Sequence, residues 1–391
     1  MTTTAPTTRV GLTISADSHV TEPPEAYADI DPAFADRAPK LVHLDDMGAT
    51  MLTDPGGAHQ GLVPFSMIAG AGVPAEELGF SQGRRWEELH PGGYDAAARL
   101  DEQDRDGVAS EVLYPSVGML LCNNPDFDYK KACFDAYNRW LAPWCAHAPN
   151  RLIGVGQTAM RSPEEGITDL ESIAALGLRG VMLPGEPAVE DYDHAVYDPF
   201  WEAAVEIGLP VSFHILTGGA GGIASGAYRG PKMNSFLGII RGNQDLVGTL
   251  IFGGVFDRHP GLRIVCVEAD AGWAPHWMYR ADHAFHRHRN WLGSGDLARL
   301  PSEYFREHVY LTFQDDWVAF RMLDMVNPDR LLWANDHPHS DSTWPNSQDL
   351  LVEQTAHMTD EQRDRILRRN TAELYGIALP PTRPQESPFA P

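Results

Sequence analysis

The chain has 391 residues, 43% of them hydrophobic, enough for one large barrel or two smaller domains with a sizeable core. Its formal charge of −24, from 30 Lys and Arg against 54 Asp and Glu, repels phosphate backbones and anionic membranes and argues against a nucleic-acid or membrane partner. The four cysteines are scattered and form no CxxC pair, which excludes a disulfide scaffold and fits reduced thiols in a cytoplasmic protein.

Met1–Arg9 is Thr-rich and lacks the apolar run of a signal peptide. No stretch approaches the ~20 apolar residues of a membrane span. From there, short apolar runs alternate with longer helical patterns, as in βα units around a parallel sheet. Strands are expected, in order, at Gly11–His19, Ala109–Ser116, Leu152–Ala159, Leu178–Gly185, Leu209–Ile215, Leu262–Asp270, Val309–Gln314 and Arg330–Asn335. Helices are expected at Tyr94–Asp106, Pro163–Leu176, Pro199–Gly208 and Asp360–Tyr375. Eight strands with intervening helices predict an α/β fold, a distorted (β/α)8 TIM barrel, with an open doubly wound sheet as the alternative.

One segment, Glu22–His90, breaks the alternation and is rich in Pro, Gly and Asp. It reads as an insertion over the barrel mouth within a single domain spanning residues 1–391. A second, Gly-rich insertion covers Thr217–Lys232, and its GGAGG run at 218–222 lacks the lysine and hydroxyl of a phosphate-binding loop. Arg229 and Lys232 there are either anion binders or solvated loop charge. Leu379–Pro391 is Pro-rich and reads as an extended tail.

Active sites of such barrels lie at the C-terminal strand ends. Strand one ends in Asp17-Ser18-His19, with Glu22 just beyond. Strand five ends in His214, strand six in Glu268 and Asp270, and strand eight in Asp336-His337-Pro338-His339. Asp17 and His19 are two residues apart, so on a strand both face the barrel interior. Burying them opposite further acids is costly unless a cation compensates. A buried Asp–His hydrogen bond is the simpler alternative for that pair alone. Trp273, Trp277, Trp317 and Trp344, near strand ends, either line an apolar pocket or simply pack.

Five segments carry a family resemblance: SADSHVTEP at 15–23, LPVSFHI at 209–215, GGVFDRHPGLRIVCVEADAGWAPHWMYRADH at 253–283, PSEYF at 301–305 and WANDHPHSDSTWP at 333–345. They resemble the amidohydrolase superfamily in its amidohydrolase-related branch, which includes decarboxylases of aromatic and unsaturated acids. The resemblance implies a metal-dependent enzyme, a homodimer, and His19, His214 and Asp336 as ligands. Asp17 stands where that superfamily usually has the first His of an HxH motif, and Glu268 where strand six often has a His.

Together, Asp17, Glu22, Glu268 and Asp336 with His19, His214, His337 and His339 offer more donors than one ion needs. Oxygen-rich mixed sets favour iron or manganese over zinc. The set resembles an offshoot of the branch, di-nuclear non-haem iron monooxygenases that hydroxylate aliphatic C–H bonds. The favoured expectation is thus two Fe, with Mn or Zn as alternatives, acting with dioxygen and an external electron donor on a small organic substrate. Asp336, His337 and Glu268 are the candidate catalytic residues. His337 stands where DYPH is commoner than DHPH, and is the candidate to recruit the second iron. The alternatives are a mononuclear decarboxylase or hydrolase acting on a carboxylic acid or amide, and a non-catalytic partner subunit.

Overall fold

The computed structural model describes residues 10–79, 83–218, 230–293 and 296–379. Arg229, most of the GGAGG run and the tail from 380 lie outside these residues.

The first strand, β1 (Thr13–Val20), leads into the insertion. The insertion contains a three-stranded antiparallel sheet: β2 (Lys40–Leu44), β3 (Gly48–Thr53) and β4 (Gly61–Pro64). The chain then supplies β5 (Val108–Pro115), β6 (Leu152–Gln157), β7 (Gly180–Met182) and β8 (Val211–His214). It continues with β9 (Ile264–Val267), β10 (Val309–Phe313) and β11 (Leu331–Trp333). Strands β1 and β5 to β11 form one eight-stranded parallel sheet in sequence order. Both faces of such a sheet are buried, one under the outer helices and one in the barrel core, so its strands read as nearly continuous apolar runs, as in IVCV of β9 and VYLTF of β10.

Two main-chain hydrogen bonds join the first strand to the segment after the last. Asp336 N–H donates to the Asp17 carbonyl at 3.0 Å, and His19 N–H donates to the His337 carbonyl at 2.8 Å. The fold is a distorted (β/α)8 barrel with an insertion after β1. The expected strands are all present, although the fourth, fifth, sixth and eighth are trimmed to β7, β8, β9 and β11. The small sheet of the insertion is an addition to the sequence reading.

Local signals set the helix that matters most for the site. Asp95 accepts the Ala98 N–H at 2.8 Å and starts the helix Ala96–Asp106. Gly107, at φ 73°, ends it in a left-handed turn that feeds straight into β5. The helix itself carries Arg99, Glu102 and Gln103. The final helical segment is interrupted by a π-helical turn at Arg365–Arg369 rather than running straight to Tyr375.

Candidate metal centre

Four strands deliver the central side chains. β1 presents Asp17 and His19, β8 ends in His214, and Glu268 and Asp336 follow β9 and β11. Donor atoms of Asp17, His19, His214 and Glu268 lie within 4.8 Å of one another, as do those of His19, Glu268, Asp336 and His339. The two groups share His19 and Glu268. His19 Nε2 is 3.4 Å from Asp17 Oδ1 and 3.5 Å from Asp336 Oδ1. His214 Nε2 is 3.7 Å from both Asp17 Oδ1 and Glu268 Oε2.

The tautomers follow from the outward nitrogens. His19 Nδ1 is 3.0 Å from the Pro115 carbonyl and His214 Nδ1 is 3.1 Å from the Ile215 carbonyl. A carbonyl only accepts, so each Nδ1 is the protonated nitrogen. Both Nε2 atoms are left with inward lone pairs, facing one another at 3.2 Å. His339 repeats the pattern with its nitrogens exchanged. The Ser116 hydroxyl donates to the Val20 carbonyl at 2.7 Å, so it accepts from His339 Nε2 at 3.0 Å. His339 Nδ1 is then a bare acceptor 3.2 Å from Asp336 Oδ1. Asp17 Oδ1 and both Asp336 carboxylate oxygens are buried with no hydrogen-bond partner. Acceptors converging on acceptors in a dry interior fit a cation, and each imidazole already has the outer hydrogen bond that orients a metal ligand.

Protonation preferences agree with that reading. Burial first, then the neighbouring His339, holds His19 down to about 3, and burial with His214 nearby does the same to His339. Both rings are therefore neutral at ordinary pH, each with a lone pair turned into the cluster. Burial pushes Glu268 and Asp336 well up, aided by the charge of Asp17. Burial would raise Asp17 too, but His19 and His214 bring its carboxyl below the usual range. Glu268, Asp270 and Asp336 all adopt left-handed backbone, at φ 54°, 55° and 54°. Non-glycine residues occupy that region at a cost, and such strain concentrates where a side chain must be aimed.

Beneath the cluster lies a buried polar frame. Arg99, fully buried, pairs with Glu111 at 2.5 Å. Its other nitrogens donate to the main-chain carbonyls of His19 and His337, both at 2.8 Å. Thr312 accepts the Glu268 N–H at 2.7 Å and donates to Asp17 Oδ2 at 3.4 Å. Neither residue declares itself in the sequence, where a single Arg in a helix and a Thr in a strand are unremarked.

Two expected ligands stand apart. The Glu22 carboxylate accepts the N–H groups of Ser116, Val117 and Gly118 at 2.9–3.0 Å, so its oxygens are committed to the backbone after β5. His337 turns from its neighbour Asp336 toward Glu102, with Nε2 2.7 Å from Oε2. His90 completes that second group. A cavity of about 820 Å³ opens onto the central cluster through Glu268, Gln314 and His339. Its walls are mostly apolar, among them Leu62, Val63 and Ile68 of the insertion, with Met119, Leu120 and Ile240. None of the four candidate tryptophans lines it. Trp344 instead packs against His90 and His337. Lys232 is exposed.

Residues 82–377 match the model of the family described as Amidohydrolase. The chain belongs to the amidohydrolase family. Within it, the protein lies in the amidohydrolase-related, decarboxylase-like branch and is a metal-dependent enzyme. It is 24% identical over 341 residues to a gamma-resorcylate decarboxylase of Rhodococcus jostii, covering 77% of this chain and 94% of that one. An amidohydrolase from Mycobacterium avium subsp. paratuberculosis has the same fold, with a TM-score of 0.77 at 20% identity over 94% of this chain and 99% of that one. So does a dihydroxybenzoic acid decarboxylase from Polaromonas sp. JS666 with bound manganese and the inhibitor 2-nitroresorcinol. Its TM-score is 0.64 at 20% identity, over 94% of this chain and 97% of that one. Among the described residues of this amidohydrolase, no helix is long and apolar enough to cross a membrane.

Proposed function

We propose that this amidohydrolase is a non-oxidative decarboxylase acting on a small carboxylic acid with an aromatic or otherwise apolar body, through one divalent ion such as manganese. The observation that carries the reading is the apolar cavity ending on the buried carboxylate–imidazole cluster. It suits a substrate with one charged end and an apolar remainder. The decarboxylases among its relatives, and the manganese in one of them, support it. The oxygenase reading loses support because Glu22 and His337, two donors assigned to it, are engaged elsewhere.

Asp17, His19, His214, Glu268 and Asp336 would hold the ion, which supplies positive charge to bind and polarise the substrate carboxylate. The apolar walls seat the ring and exclude water. Breaking the bond between ring carbon and carboxylate carbon releases CO₂ and leaves the electron pair on the ring, which then takes a proton. Asp336 is the candidate donor: it has two unpartnered oxygens, one that could face the ion and one that could carry the proton. A proton taken up from solvent through the cavity would reach Asp336 by way of His339 Nδ1, the bare acceptor 3.2 Å away.

The two overlapping donor groups, sharing His19 and Glu268, favour a second reading in which two ions bind and the di-iron oxygenase chemistry applies. Anaerobic incubation of the manganese-loaded enzyme with 2,6-dihydroxybenzoate and related aromatic acids separates the two. CO₂ release without dioxygen, abolished by chelation, is the expected result. Turnover that requires two irons per chain and consumes dioxygen would overturn it.

A further inference from the structure

His337 belongs to a second donor group, with His90 and Glu102, whose ligand atoms lie within 4.8 Å of one another. They come from three places: the end of the insertion, the helix Ala96–Asp106 and the loop after β11. His90 Nε2 is 2.8 Å from the Ala71 carbonyl and must be its protonated nitrogen. His90 Nδ1 therefore offers a lone pair, and it faces Glu102 Oε1 at 3.8 Å. Two acceptors confront each other with room for a cation between them. Glu102 Oε1 is itself oriented by the Gly92 N–H at 3.3 Å. His90 and Glu102 thus each carry the outer hydrogen bond that positions a metal ligand. His337 turns its Nε2 into the group, 2.7 Å from Glu102 Oε2, and its Nδ1 is buried with no partner. The Trp344 ring packs 4.9 Å from His90 and 5.0 Å from His337, fixing both imidazole planes. The side chains of His90 and Glu102 remain 20% and 13% exposed, so an ion has a path in and a water can stay on it.

We propose that His90, Glu102 and His337 form a second metal site, separate from the central cluster, for a borderline divalent ion such as Zn²⁺. Two imidazoles and one carboxylate with an open fourth position are a recurrent zinc set. Occupied, the site ties the end of the insertion to the loop bearing Asp336 and His339. It does not depend on the decarboxylase reading, because neither the substrate nor the reaction enters the argument. The competing arrangement is a metal-free hydrogen-bonded chain from His90 through Glu102 to His337.

Zinc content of the full chain, stripped by chelation and then dialysed against Zn²⁺, tests it. His90→Ala and Glu102→Gln should each hold one equivalent fewer than the unsubstituted protein, however many ions the central cluster binds. Anomalous scattering at the zinc edge from zinc-soaked crystals of the unsubstituted protein should show a peak between His90 and His337, which requires no variant to fold. Unchanged zinc content in both variants, or no peak at that position, overturns the site.

Discussion

His19 and His214 face each other with their Nε2 atoms 3.2 Å apart, and neither of those atoms carries a proton to share. A hydrogen bond cannot explain the approach; a shared cation can. His19→Ala and Asp336→Ala should each weaken metal binding by at least about 100-fold, beyond the 10–100-fold typical of losing an outer partner. Metal analysis after dialysis reads this directly. Stoichiometric metal in both variants would show the ligand assignment to be wrong.

Arg99 links two ligand-bearing segments by holding the main-chain oxygens of His19 and His337. Arg99→Met removes that clasp and leaves Glu111 buried without its ion-pair partner. Breaking a buried pair from one side costs roughly 3–5 kcal/mol, which denaturant unfolding should report. Arg99→Met/Glu111→Gln should recover part of the loss. A single-variant change under about 1 kcal/mol would mean the clasp is idle.

Acid should destabilise the metal-free protein through its buried imidazoles. His19 and His339 titrate near 3 in the folded chain, against 6.5 ordinarily, because burial and neighbouring imidazoles disfavour their charge. Between those values the unfolded chain binds more protons. Stability is therefore present above 6.5 and lost as pH falls toward 3, at up to about 1.4 kcal/mol per pH unit for each group. Glu268 and Asp336, pushed up by burial, act in the opposite sense and lose their contribution as pH rises. His339→Asn should show a smaller fall in melting temperature between pH 7 and 4.5 than the unsubstituted protein. An equal fall would remove His339 from the titration.

Ile240 lines the cavity at partial exposure. Ile240→Trp should reduce its volume with little change in melting temperature, raising KM for an aromatic acid on the order of 10-fold. Unaltered KM and kcat would place substrate binding elsewhere.

The barrel was legible because period and length agree: apolar runs such as LRIVCVEAD and RLLWAN can be buried on both faces only in a parallel sheet. The strand-end acids and histidines followed from the architecture. What stayed hidden depended on direction rather than composition. Glu22 and His337 lie close in the chain to residues whose side chains converge, but the backbone after β1 and β11 turns theirs away. His90 and Glu102 carried no signal in the sequence, since only the fold brings them to His337. The sheet of the insertion was obscured by Pro- and Gly-rich spacing between its short strands.

The hydrogen bonds that join β1 to the segment after β11 have a bearing on how the enzyme comes into being. Asn335 N–H meets Ser15 Oγ across 320 positions of sequence, beside the point where Asp336 meets Asp17. A nascent chain therefore lacks Asp336 and His339 until its last strand has emerged, so the barrel's closing edge and the donor cluster are completed in the same step.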